Sequence, residues 1–318
     1  MAAILPDRAA VFSDGRYITQ MDQQVDAGVW ERLHIRETPP PAWLAAHGAS
    51  LRIGYDPRLI GESALRPFSD AGLTLVALPA NPVDRIWTDR PAAPCTPCVP
   101  QPEDLAGQSS HDKRATLAAS LRGAGDSALV LSDPASIAWL LNIRGQDVPY
   151  TPLSLSFAIV HDTGHVTLLI DPAKLSGPTR AWLGPDVTLL PPMRWKRPCV
   201  PWRPRACRWT RPATPSGSSR HWWMRGPPSS ARENPCVLPK AIKNPTEQEG
   251  SRHAHLLDGV AICRFLHWLE ENATRTTELE AADRLDRFRA ASPDYRGELS
   301  RHFGCRAKWR GHPLPCHT

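Results

Sequence analysis

No run of 18 apolar residues occurs in these 318 residues, and no charged-then-apolar leader with a small-residue cleavage site opens them. Neither membrane insertion nor secretion is therefore expected. The eight cysteines lack the regular spacing of a disulfide framework. Cys95 and Cys98 form one CxxC in a proline-rich stretch with no second pair. That argues against a zinc site and for reduced thiols in a cytoplasmic protein. Glycine loops for phosphate are missing too, because Gly123-Ala124-Gly125 lacks a third glycine and follows a helical pattern instead of a strand. No Ser/His/Asp arrangement for nucleophilic hydrolysis stands out.

Acidic residues are absent from two segments. Between Val187 and Arg232 there is none, while Pro191–Arg232 holds nine Arg, one Lys, nine Pro and five of the twelve Trp. After Glu298 come Arg301, Arg306, Lys308 and Arg310, again without an acid. These segments carry more than the whole net charge of +6, so the body of the chain is acidic. Arg interleaved with Trp is one way to bind nucleic acid, since guanidinium meets phosphate and indole stacks on bases. A disordered linker is the plainer reading.

A third reading fits better: translation out of frame. Joining the last base of each codon to the first two of the next lets Pro215–Ser230 spell VWVVKALVDAGATVI, a helix followed by the opening of a strand. The native frame then resumes near Glu233. With the opposite offset, the tail from Gly304 spells GAGPNGAAIHYRVT. Residues 191–232 are accordingly expected to be disordered, and 299–318 to be an out-of-frame tail. No nucleic-acid partner and no membrane partner are expected.

The remaining sequence alternates strands and helices. Strands are expected at Ala2–Leu5, Ala9–Ser13, Leu51–Tyr55 and Leu73–Leu78, with helices at Ile18–Val25 and Glu62–Ala71. Beyond a proline-rich connector come helix His111–Gly123, strand Ala128–Leu131 and helix Pro134–Asn142. Phe157–His161 and Val166–Ile170 then make a hairpin about Asp162-Thr163-Gly164, and Val187–Leu190 begins another strand. Downstream, Asn244 is a good N-cap and Pro245 suits the first helical position. Leu257, Ala261, Phe265 and Trp268 follow at helical spacing, and a second helix spans Thr277–Ala291.

Four strings carry a resemblance. LPKAIKNPTEQEGSRHAHLLDGVAICRFLHWLEE with TELEAADRLDRFRA is similar to the start of the catalytic domain of Xaa-Pro aminopeptidases, of the pita-bread metallopeptidase family. VFSDGRYITQMDQQVD resembles that family's first domain, SIAWLLNIRGQDVPYTPLSLSFAIV its second, and NPVDRIWTDRP its connector. The resemblance implies an α/β fold with two creatinase/prolidase N-terminal-like domains, each a mixed sheet with flanking helices, followed by the first helices of a truncated pita-bread domain. It places domain I at 1–80 with its start missing, the connector at 81–110, domain II at 111–238, the start of the catalytic domain at 239–298 and the tail at 299–318. Met1 would then not be the natural first residue.

The activity implied is metal-dependent removal of the N-terminal residue from peptides with proline second. Two divalent ions, manganese in type, would activate a hydroxide between them. The family's ligands (two Asp, one His and two Glu) match no position here and would lie beyond Thr318. No catalytic residue and no metal ligand is carried over, this chain is expected to be inactive, and no metal is expected to bind it. The one position carried over is Arg16, in Asp14-Gly15-Arg16-Tyr17, which matches an arginine reaching the substrate across domains; the alternative is a surface arginine in a turn. Asp147 reads as a loop residue holding local turns, and His253 and His255 are wrongly spaced for a helical metal pair. The partners implied are proline-containing peptides and a second copy in a homodimer. The alternative function is a non-catalytic remnant acting at most in dimerisation.

Overall fold

The computed structural model describes residues 1–192, 207–211 and 229–297. They form two compact units: Met1–Ala92 with the described residues of Trp209–Glu233, and the described residues of Ala93–Arg208 and Asn234–Thr318.

In the first unit β1 (Ala2–Ile4), β2 (Ala9–Ser13) and β3 (Glu31–His34) make one sheet, with α1 (Ile18–Gln24) between the last two. β1 runs antiparallel to β2, and β3 parallel to it. α2 (Pro40–Gly48) follows, then β4 (Arg52–Tyr55), α3 (Glu62–Asp70), β5 (Thr74–Ala77) and α4 (Pro82–Ile86). β4 and β5 pair in parallel, so α3 is the crossover that a parallel pair requires. β3 and α2 were not expected from sequence, because Glu31-Arg32-Leu33-His34 carries only one aliphatic residue. The core here is Leu5, Ala10, Phe12, Trp43, Leu44 and Leu73. Trp43 meets Phe12 edge-on at 5.9 Å, and its indole Nε1 donates to Glu31 Oε2 at 3.0 Å. A buried indole N–H normally finds such a partner.

The second unit opens with β6 (Val99–Pro100), α5 (Glu103–Ala106) and α6 (Ser110–Gly123). β7 (Ala128–Leu131), α7 (Pro134–Leu141), β8 (Ile143–Arg144), β9 (Phe157–His161), β10 (Val166–Leu169), α8 (Gly177–Leu183) and β11 (Val187–Leu190) follow. β11, β10, β9 and β7 lie side by side in that order. The β9–β10 hairpin and β7–β9 are antiparallel, and β10–β11 is parallel, giving a mixed sheet. β7 and β10 are buried at every residue, as strands covered on both faces must be. Leu121, Leu129, Leu131, Ile137, Leu140, Val160 and Leu168 dominate the core, and each such side chain contributes roughly 1.5–3 kcal/mol by leaving water.

β12 (Cys207–Arg211) and β13 (Ser229–Glu233) are strands. The expectation of disorder over 191–232 is corrected at these two places. Strand formation rests on main-chain donors and acceptors, which every non-proline residue has, so it does not need the apolar periodicity that segment lacks. The rest of 193–228 lies outside the described residues, as does the tail from 298.

Then come α9 (Val237–Ala241), α10 (Pro245–Asn272) and α11 (Glu278–Ala290). Both long helices begin with a reciprocal capping box, Asn244 with Glu247 and Thr277 with Glu280. Phe265, Ala281 and Leu285 pack together with Trp268, Leu269 and Phe288 at their margins. Arg289 Nε donates to Asp258 Oδ1 at 2.6 Å and ties the pair. The cap also fastens α10 to the α/β body: Asn244 Nδ2 donates to the Ala106 carbonyl at 2.8 Å. Gly107 (φ 66°) ends α5 beneath it, and a Cβ there would sit 2.3 Å from Asn244 Oδ1. Glycine is required at this point by both space and backbone.

Candidate functional site

Arg16 follows the turn after β2 and is exposed over 77 % of its side chain. Asp14 holds it from two sides: Arg16 Nε donates to Oδ1 at 3.1 Å and Nη2 to Oδ2 at 2.7 Å. The Arg16 backbone N–H adds a third bond to Oδ1 at 2.9 Å. These hydrogen bonds, the side-chain ones foremost, lower the Asp14 carboxyl to about 2. The clasp takes the Nε edge of the guanidinium and leaves the opposite Nη edge for a carbonyl or carboxylate. The clasp is not by itself a mark of a site, because Asp56 and Arg58 repeat it, with Nε at 3.2 Å and the backbone N–H at 2.8 Å. Both are Asp-x-Arg turns in which the carboxylate caps the backbone two residues on.

Asp147 is the centre of a different construction. Its Oδ1 accepts from Thr96 N at 3.0 Å and Thr96 Oγ1 at 2.8 Å. Its Oδ2 accepts from Leu155 N at 2.7 Å and Lys174 Nζ at 2.6 Å. Burial raises the carboxyl, yet the hydrogen bonds from Lys174, Leu155 and Thr96 outweigh it and hold Asp147 below the usual carboxylate range. This carboxylate organises the connector and the loop before β9, as the sequence suggests.

The other histidine and cysteine candidates stay apart. His253 Nε2 lies 3.4 Å from Asp294 Oδ2, whereas the His255 Nδ1–H donates to the Ser251 carbonyl at 2.7 Å. Cys95 is exposed and Cys98 buried, and both are free thiols. Burial pushes the Cys98 thiol up to about 11, so it is inert packing, not a nucleophile. Among the described residues no group of three or more His, Cys, Asp and Glu is placed to hold a metal ion. These residues therefore do not fit a two-metal centre, and no step is assigned to one.

Sequence reasoning missed the buried cations of the second unit. Lys113 is 3 % exposed. Its Nζ donates to Asn142 Oδ1 at 2.6 Å and to the Trp139 carbonyl at 3.1 Å, and lies 4.8 Å from the Trp139 ring centroid. Burial pushes this ammonium down to about 8. Arg114 is buried beside it. A signal was present: Arg114, Leu117 and Leu121 fall at i, i+3 and i+7, the spacing of one helix face.

Comparison with known proteins agrees with this architecture. The family model of the creatinase/prolidase N-terminal domain matches residues 89–247, which span most of the second unit's body and its link to α10. The fold defines a creatinase-like α/β protein, and the chain belongs to the creatinase/prolidase N-terminal domain family. It is 32% identical over 318 residues to a probable Xaa-Pro aminopeptidase P of Leptosphaeria maculans, covering 93% of this chain and 52% of that protein. It is 31% identical over 322 residues to the corresponding protein of Colletotrichum graminicola, with 93% and 52% covered. The chain thus spans about half the length of the curated relatives it matches. The crystal structure of an X-prolyl aminopeptidase from Caenorhabditis elegans superposes with a TM-score of 0.79 at 28% identity, over 92% of this chain and 50% of that one. That protein is described as a cytosolic enzyme with a di-nuclear active site. In this chain no helix among the described residues is long and apolar enough to cross a membrane.

Proposed function

We propose that this chain is the N-terminal, substrate-access half of an Xaa-Pro aminopeptidase lineage, and that the 318 residues do not by themselves hydrolyse peptides. The observation that carries the reading is the likeness to X-prolyl aminopeptidases along more than nine-tenths of the chain, in fold and in sequence. The substrates of the lineage are peptides with proline second, and the working ions are a manganese pair. Arg16 is the residue of this half that reaches toward the peptide, through the Nη edge that Asp14 leaves open. The expectation of no turnover comes from the family resemblance, whose metal ligands match no position of this sequence. The location is cytoplasmic, and association with a second copy is the remaining role.

The test is release of the first residue from Xaa-Pro peptides by the purified chain with added manganese. No turnover is expected, and measurable turnover refutes the inactive reading. Salt-dependent binding to nucleic acid would instead favour the basic segment as a functional element.

We also infer that 191–232 and the tail are out of frame. The support lies in the sequence, where the shifted strings read as a helix and the opening of a strand and the native frame resumes near Glu233. Just beyond, Asn234 Nδ2 donates to Ser136 Oγ at 2.8 Å and Cys236 joins the main core. Resequencing the DNA decides the point, because codons unable to spell the shifted strings would overturn it.

A further inference from the structure

A cavity of about 200 Å³ lies between the first turns of α6 and the tip of the β9–β10 hairpin, away from Arg16 in sequence and in unit. Its walls include His111, Arg114, Thr163, His165 and Asp186. Arg114 is the unusual member. Its side chain is 9 % exposed, yet few of its donors are used. Nη1 donates to the Gly164 carbonyl at 2.8 Å. Nη2 lies 3.6 Å from Asp186 Oδ2, beyond hydrogen-bond reach, and Nε finds no partner among the described residues. A buried guanidinium normally has its donors satisfied, because an unmet donor keeps its full desolvation cost. Asp186 is a poor partner, since its side chain is 59 % exposed and so well solvated.

The rest of the wall suits an anion. His111 and His165 are the cavity's two imidazoles, and Thr163 supplies a hydroxyl. His165 is oriented by Thr188, with Nε2 and Oγ1 2.9 Å apart, which leaves Nδ1 for another partner. The volume admits a group of several oxygens, and Arg is the residue best shaped to meet one.

We propose that this cavity binds a small tetrahedral oxyanion, either inorganic phosphate or the phosphoryl group of a small metabolite. The anion takes the Nη2 donors of Arg114 in place of Asp186, and His111, His165 and Thr163 close around it. The exposed Asp186 carboxylate acts as a weak internal competitor that swings into solvent when the site fills.

The experiment is thermal unfolding of the full chain in phosphate, glycerol phosphate, acetate and chloride at matched ionic strength. Phosphate is expected to raise Tm where acetate and chloride do not. An equal gain with glycerol phosphate identifies a phosphoryl group as the ligand, and a gain with phosphate alone identifies the free ion. Asp186→Asn is expected to tighten phosphate about fivefold, the effect of removing one screened charge at short range. Arg114→Met should abolish the gain. Because Arg114 also holds the hairpin tip, Thr163→Val and His111→Gln are measured beside it; both should keep the Tm in chloride and weaken phosphate. Equal gains in acetate or chloride, or an Asp186→Asn affinity equal to the parent's, would overturn the proposal.

Discussion

In the first unit Arg16 and Asp14 clasp each other in solvent; in the second, Lys174 and Asp147 do so with side chains only 5 % and 0 % exposed. The bond lengths are nearly the same, 2.7 Å and 2.6 Å. What differs is the surroundings. The exposed pair is screened by water, and its charges would be solvated equally well apart. The buried pair could not separate without stranding an ion, and the donors of Thr96 and Leu155 complete the carboxylate's shell. Distance alone therefore says little about what an ion pair contributes. The same contrast runs through the units: Arg58 keeps its side chain half exposed, whereas Lys113 and Arg114 are buried.

Breaking the buried pair should have the largest effect. Lys174→Met leaves Asp147 charged and unpaired, and should cost about 3–5 kcal/mol in urea unfolding. Replacing both partners with apolar residues should recover much of that loss, and a double mutant as unstable as the single one would show that the cost lies elsewhere. Next comes the junction of α10 with the body. Gly107→Ala puts a Cβ 2.3 Å from Asn244 Oδ1 and forces alanine into left-handed backbone. A loss of about 1–3 kcal/mol is expected, with faster amide exchange in the first turn of α10. Unchanged exchange would mean the Asn244 cap does not fasten that helix.

Lys113 gives a smaller effect with a definite sign. Its folded value of about 8 lies below the ~10.4 of an unfolded lysine. Between those limits the unfolded chain holds more protons than the folded one, so stability should rise with pH across the window and be lost again as pH falls through the folded value. Lys113→Met should flatten that rise. The smallest effect is expected at the exposed clasp, where Arg16→Ala should leave Tm unchanged; a clear drop would mark Arg16 as structural and weaken its assignment to the peptide.

The local signals proved readable. Asn244-Pro245 with Glu247, and Thr277 with Glu280, mark two helix starts within four residues each, and both form capping boxes. The β9–β10 hairpin was legible because Gly164 (φ 85°) supplies the turn its neighbours need. β3 and α2 were not legible, because Trp43 on α2 and Glu31 on β3 become informative only once they meet. The 191–232 segment misled at β12 and β13 because composition is a poor guide to main-chain pairing.

By itself, then, the sequence determined many of the strands and helices, the starts of the two long helices, the family strings and the turn position of Arg16. All of these depend on neighbours a few residues away, where chain geometry is fixed by local sterics and hydrogen bonds. Only the tertiary structure decided which charges are buried. Lys174 reaches Asp147 across 27 positions, and Arg114 reaches Gly164 across 50. Whether such a charge is bearable depends on donors and acceptors that folding alone brings together, because the cost of removing an ion from water is set by everything around it.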